Sequence, residues 1–202
     1  MENEEFDIEL PSKVPGDIWV TYAGTLGSNY DIPALCAATK EPVLRDCGRN
    51  IRIMIAGDGP MREQLVSRIN CGELTNMTYL GALSLAQVAR LYAKSDIGLS
   101  IYSPGSSVVI PAKAYDMYAA ALPFVNSAHG EFMEFIVAQK LGLAYQAGDP
   151  KSLSCSIAKL AVDDELRSEC RRNLQRIAPA FDRKAQYSQV AEILRSIAPD
   201  AL

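Results

Sequence analysis

The stretch Tyr102 to Asp116 collects residue types that can hold a phosphate without a metal ion: Ser106, Ser107, Val108 and Val109 after a Pro104-Gly105 turn, then Lys113 just inside a segment of helical periodicity beginning near Pro111. If a helix begins there, its unpaired N–H groups and the positive end of its dipole face that loop. Lys113 adds a full cation to the first turn, where it opposes the dipole. A diphosphate in the loop would remove the conflict, because dipole, amides and ammonium would all act on one anion. A lysine on a solvated helix face is the alternative. Asp116, three residues on, shares the helical face and could reach a ribose hydroxyl.

Two other turns carry related chemistry. Ala23-Gly24-Thr25-Leu26-Gly27-Ser28-Asn29 sets Gly24, Gly27 and Ser28 between a strand and a helix, where backbone amides could approach a phosphate. GxxG is a weak motif, and a tight connection needing glycine dihedrals accounts for it equally. Ala56-Gly57-Asp58-Gly59-Pro60 places proline at a first helical position, and a sharp turn alone explains this sequence well. The sole histidine, His129, lies in a loop after a strand, where lining or capping a helix start is the common role. The chain shows no HExxH, Asp-rich cation loop or nucleophile triad, so no metal site and no cofactor are expected.

These turns need elements to hold them. Short apolar runs predict strands at Ile18–Ala23, Ile51–Ala56, Met77–Leu80, Ile97–Ile101, Phe124–Asn126 and Leu143–Tyr145. Apolar residues at three- and four-residue spacing predict helices at Ile32–Arg45, Met61–Asn70, Leu85–Lys94, Pro111–Ala121, Glu131–Lys140 and Ser152–Leu160, then Asp164–Ile177 and Arg183–Ile197 around Pro179. Ser84 with Gln87 forms a capping box, and Asp149-Pro150 opens another helix. The alternation gives an α/β fold: a doubly wound, Rossmann-like parallel sheet of about six strands, helices on both faces and extra C-terminal helices. In such sheets ligands lie beyond the carboxyl ends of the strands, where the three turns fall. Residues 1–17, rich in Glu and ending in Pro15-Gly16, read as a tail or linker, leaving 18–202 as one domain.

Bulk properties narrow the function classes. With 49% apolar residues and a net charge of −4, the 202-residue chain lacks the basic surface that tracks nucleic acid. Five cysteines without a CxxC pair suggest neither disulfides nor zinc, and a reducing cytoplasm is expected. No apolar run reaches the roughly 18 residues of a spanning helix, and no export signal opens the chain.

Taken in order, six segments resemble the C-terminal domain of the retaining GT-B glycosyltransferases of the group 1 family: Tyr22 to Gly27, Ile53 to Pro60, Met77 to Gly81, Leu91 to Leu99, Pro111 to Ala119 and Leu122 to Val125. The resemblance runs from about Trp19 to Leu194. It implies metal-independent transfer of a sugar from a nucleoside-diphosphate donor, a substrate rather than a cofactor, to a glycan or lipid acceptor. By the resemblance, Tyr79, Leu80, Gly81 and Leu83 border the base, Ser106 to Val109 with Lys113 surround diphosphate and sugar, and Asp116 takes the ribose. Fixed dipoles and a lysine can stabilise the leaving diphosphate in place of magnesium.

Two departures stand out. The family commonly has two glutamates separated by seven residues, where this chain has Val108 and Asp116, and an arginine and lysine in the first turn, where it has Thr25 and Tyr30. The resemblance also implies an N-terminal acceptor-binding domain as partner, through which peripheral membrane contact could occur. A GT-B epimerase-like domain and a degenerate, non-catalytic scaffold remain rival readings. A nicotinamide-binding domain is more distant, since GxGxxG is absent after the first strand.

Overall fold

The computed structural model describes residues 9–197. Six parallel strands form one sheet: β1 Asp17–Ala23, β2 Asn50–Ala56, β3 Met77–Tyr79, β4 Ile97–Ser100, β5 Phe124–Asn126 and β6 Gly142–Ala144. Their order is β3-β2-β1-β4-β5-β6, so the chain runs outward from β1 to one edge, returns, and runs outward again from β4. The β1/β4 boundary is the topological switch point, the place where ligands bind in open sheets of this kind.

Alternation along β1 sorts its side chains into two layers. Ile18, Val20 and Tyr22 enter one core with Leu35 and Cys36 of α1 (Ile32–Ala38), Leu65 of α3 (Arg62–Asn70) and Leu153 and Ile157 of α7 (Pro150–Val162). Trp19 and Ala23 enter the other with Leu91 and Tyr92 of α4 (Leu85–Lys94), Met117 and Tyr118 of α5 (Ala112–Ala119), Phe132 and Ile136 of α6 (Glu131–Ala138) and Leu174 of α8 (Asp164–Ile177). Burying both faces requires apolar residues on both sides of each strand, which is why the strands read as nearly continuous apolar runs.

The predicted segment Ile32–Arg45 is two helices rather than one: α1 ends at Ala38, and Pro42 opens the short α2 (Pro42–Arg45). Proline lacks the N–H that a continuous helix would use at that point. The capping box at Ser84 and Gln87 is present on α4, and Asp149 caps α7 through the amides of Lys151 and Ser152. Helices α5 and α6 both close by Schellman motifs. Ala121 and Lys140 occupy the left-handed position (φ +47° and +50°), usually glycine's, while Leu122 N–H donates to Met117 C=O and Leu141 N–H to Ile136 C=O.

Residues 9–16 of the predicted tail carry no helix or strand, yet they are pinned to the domain. The Lys13 ammonium donates to Asp96 at 2.5 Å and to the Lys94 carbonyl, Asp96 also accepts from Trp19 N–H at 2.7 Å, and Leu10 packs on the α4 side of the core. At the other end, a 3₁₀ turn at Ala178–Phe181 sets the Phe181 ring 5.1 Å from Tyr118, and α9 (Arg183–Ile197) follows with Tyr187, Val190, Ile193 and Leu194 exposed. Residues 1–8 and 198–202 lie outside the described range.

Candidate functional site

The turn after β1 is built on the turn after β2. Gly24 N–H donates to Ala56 C=O, Leu26 N–H to Asp58 C=O, and Met61 N–H returns to Leu26 C=O, so the two turns form one hydrogen-bonded unit. Gly57 is required by this approach. A β-carbon there would stand 1.8 Å from the Gly24 carbonyl oxygen, and its φ of +137° is itself unfavourable for other residues. Gly59 meets Leu26 in the same way, with 2.5 Å to the carbonyl oxygen. Gly57 N–H also donates to Gly81 C=O, and the Tyr79 hydroxyl donates to Gly57 C=O at 2.8 Å. Gly24, Gly57, Tyr79 and Gly81, named from separate segments, are thus brought together, the glycines by backbone contacts and Tyr79 by its hydroxyl.

The turn after β4 joins the same assembly. Ser103 N–H donates to Asn29 C=O, and the Ser127 hydroxyl both accepts from Tyr102 N–H at 2.7 Å and donates to Tyr102 C=O at 3.0 Å. Asp31 sits at the N-cap of α1 without capping it. Its buried carboxylate accepts from the Tyr145 hydroxyl at 2.9 Å and Gly148 N–H at 2.7 Å, fastening the turn after β6 to that after β1. Burial raises the Tyr145 phenol well above its ordinary pKa, which keeps it a donor.

Lys113 lies in the first turn of α5, which has Pro111 at its N-cap and no side-chain acceptor there. Its ammonium is not on a solvated face. It is buried beside Gly24, 3.1 Å from where a β-carbon would stand, and covered by the rings of Tyr22 at 4.2 Å, Tyr30 at 4.4 Å and Tyr102 at 5.5 Å. It has no hydrogen-bond partner among the described residues. The ring faces favour the charged form and burial the neutral one; burial dominates and pushes the Lys113 pKa down to about 7. A buried cation at the switch point, without a carboxylate to neutralise it, is an arrangement that an anion would complete.

The remaining predicted residues are spread around this centre. Ser106 folds back, its hydroxyl 3.4 Å from Val108 N–H, while Ser107 and Val109 are exposed and Val108 leans on the α4-side core. Gly27 is buried in the first turn and Ser28 beside it is exposed. Asp116 is exposed near Tyr92 of α4, whose phenol is raised by burial first and by the Asp116 charge second. Although Lys113 and Asp116 share a helix at i, i+3, the ammonium turns inward to the tyrosines and the carboxylate stays outside. Leu80 is buried, with its N–H donating to Ile55 C=O, and Leu83 is partly buried. His129 is exposed at the entry to α6. An open groove of about 990 Å³ lies at the β3 edge, walled by Asp58, Arg62, Val66, Asn70, Tyr79 and Gly81. It holds two of the predicted base-bordering residues and not Lys113.

The tyrosine box and Asp31 were missed in the sequence. Their signal was faint: Tyr22, Tyr30 and Tyr102 all fall at or just past carboxyl ends of strands adjacent at the switch point.

Comparison with known proteins agrees with this architecture. Anabaena HepE, solved in complex with UDP, superposes with a TM-score of 0.73 at 21% identity over 90% of this chain and 49% of its own. The C-terminal domain of a group 1 family glycosyl transferase from Francisella tularensis gives 0.67 at 15% identity, covering 83% of this chain and 87% of that one. Among curated sequences, a chitobiosyldiphosphodolichol beta-mannosyltransferase of Arthroderma benhamiae is 29% identical over 103 residues, 48% of this chain and 23% of that protein. One from Yarrowia lipolytica is 24% identical over 95 residues, 46% and 20% respectively. This chain therefore spans under a quarter of the matched curated relatives in aligned length and about half of HepE. No helix among the described residues is long and apolar enough to cross a membrane. The sequence profile for "Glycosyl transferases group 1" matches residues 17–163, from the first residue of β1 to the end of α7, so the turns that enclose Lys113 are framed within a chain that belongs to the group 1 glycosyl transferase family.

Proposed function

We propose that this chain is the donor-binding half of a glycosyltransferase, holding a nucleoside-diphosphate sugar across the carboxyl ends of β1, β3 and β4. One observation carries the reading: the unpaired Lys113 ammonium at the switch point, next to Gly24 and the start of α5. As the glycosidic bond breaks, charge grows on the leaving diphosphate, and a fixed ammonium and helix N-terminus stabilise that charge without a metal ion. An arriving diphosphate also raises the lysine's pKa, so the ammonium is charged when the ligand is present. Tyr79 and Gly81 beside the β3 groove take the base, and Asp116 the ribose. The acceptor, a glycan or lipid, binds a separate domain, as the half-length match to HepE supports.

With Val108 and Asp116 in place of two glutamates, transfer with retention relies on the diphosphate oxygens and backbone rather than on a side-chain carboxylate facing the sugar. A second reading, inversion, is favoured by the name of the curated relatives, which specifies a beta-mannosyl product. From an α-linked donor such a product requires inversion.

Calorimetry with UDP, GDP, their sugars and NAD separates the readings. Binding of a nucleoside diphosphate or its sugar that weakens in Lys113→Ala, and is indifferent to a chelator, supports the donor half. Binding of none favours a scaffold, and binding of NAD alone overturns the assignment. With the acceptor domain joined, NMR of the anomeric proton in the product decides retention against inversion.

A further inference from the structure

The Lys113 ammonium has no access to solvent as it stands, so an anion can meet it only after part of its enclosure moves. The three rings are not equally free to do so. Tyr22 is fully buried in β1, with its hydroxyl donating to Thr25 C=O at 2.5 Å. Tyr102 is 4% exposed, and both its backbone groups are clasped by the Ser127 hydroxyl. Tyr30 is half-buried in the first turn; its N–H donates to Gly27 C=O, but its side chain is held by packing and ring contacts, 6.0 Å to Tyr22 and 5.4 Å to Tyr102 by centroids. These two contacts and the cation–π contact to Lys113 are each weak enough for thermal opening.

We propose that Tyr30 is a gate and positioning residue: its ring closes the box over the Lys113 ammonium, and must swing out before a diphosphate can pair with that ammonium. The identity of the anion rests on the donor-half reading, whereas the gate rests on the box alone. Closed, the ring stores the cation against phenol faces and keeps passing anions off it. Open, it leaves the ammonium beside the Gly24 turn and the first amides of α5, where the diphosphate is expected. The titratable groups facing the ammonium are Tyr22 from β1, Tyr30 from the first turn and Tyr102 from the fourth. Burial holds the Tyr22 and Tyr102 phenols well above their ordinary values, so they stay neutral.

Two measurements on the whole chain test the gate and the ligand separately. The first is acylation of individual lysines by an amine-reactive ester at about pH 9, read by peptide mass spectrometry. There Lys113 is deprotonated while ordinary lysines remain mostly charged, so chemistry alone would make it the faster to react. A closed gate reverses the order: in the unmodified chain Lys113 reacts slower than the exposed Lys151 and Lys159. Tyr30→Ala should speed Lys113 labelling at least tenfold, and Tyr30→Phe, which keeps the ring, should leave it slow. Fast labelling of Lys113 in the unmodified chain, or equal rates in Tyr30→Ala, overturns the gate; the first comparison needs no variant and stands even if Tyr30→Ala folds poorly. The second is stopped-flow binding of UDP. With a gate, the observed rate saturates with UDP concentration in the unmodified chain and rises linearly in Tyr30→Ala, and linear behaviour in both overturns it. Slow, Tyr30-dependent labelling without binding of UDP or GDP would leave the gate standing and refute the donor.

Discussion

The amino ends of the strands and the β1/β4 switch point treat charge in opposite ways. At the amino ends of the strands, cations are matched by carboxylates: Lys40 and Arg68 share Glu73, Arg49 and Arg167 share Asp164, and Lys13 meets Asp96. At the carboxyl ends Arg62 still meets Asp58, but Lys113 at the switch point has rings around it and no hydrogen-bonded carboxylate among the described residues. A salt bridge at an exposed edge contributes little and binds nothing further. An unmatched buried cation reduces stability and is kept where a ligand supplies the missing charge.

Four substitutions test that contrast, in falling order of effect. Gly57→Ala should be the most damaging, because its new methyl overlaps the Gly24 carbonyl inside the unit that supports the site. We expect a loss of about 3 kcal/mol or more by urea denaturation. Lys113→Met should separate stability from binding. Relieving the ammonium of burial stabilises the fold by about 1–2 kcal/mol after allowing for lost cation–π attraction. UDP affinity should fall at least about tenfold by calorimetry. The pH dependence follows from the same group. Because the folded pKa is lowered from 10.5 to about 7, the unfolded chain binds the extra proton between those values. Stability therefore rises with pH across that window, an increment that Lys113→Met abolishes. Anion affinity runs the other way and weakens as pH rises through about 7.

Ala121→Gly tests the support of α5 rather than its charge. Glycine relieves the left-handed strain at φ +47°, and a gain of about 0.5–1 kcal/mol is expected, with UDP affinity unchanged. The smallest effect should come from Glu73→Gln at the paired end. Hydrogen bonds from Arg68, then Lys40, hold the Glu73 carboxyl down from 4.5 to about 2. Its contribution is present above about pH 4.5 and fades as pH falls toward about 2. A melting-temperature change of no more than about a degree or two near neutral pH, and unchanged binding, would fit a solvated pair. A larger loss of UDP binding from Glu73→Gln than from Lys113→Met would break the contrast.

Much of the fold was legible because its signals are local. β5 at Phe124–Asn126 and α4 at Leu85–Lys94 fall where alternation and capping placed them, and the other strands differ by one or two residues at their ends. The split at Pro42 was readable too, had the proline been given its full weight against periodicity. The site was less legible because its contacts are long-range. Lys113 could be singled out from its place in a helix start, but whether its ammonium met solvent or a box depended on Tyr22 and Tyr30, 91 and 83 positions earlier. Gly57 read as a turn residue, yet what requires glycine there is a carbonyl in another turn. Asp31 was not singled out at all, since only the folded chain brings its carboxylate to Tyr145 and Gly148.

That diversion has a consequence for biosynthesis. The turn after β1 is fastened by residues 114 and 117 positions later, so it cannot reach its final shape while the ribosome is still making the middle of the protein. Strands β1 and β4 can pair early, but the turn after β1 matures only after β6 arrives. A nascent chain stalled before Tyr145 would carry the strands of the sheet with an unfinished mouth, leaving that end of the molecule the last to close and the longest in need of shelter by chaperones.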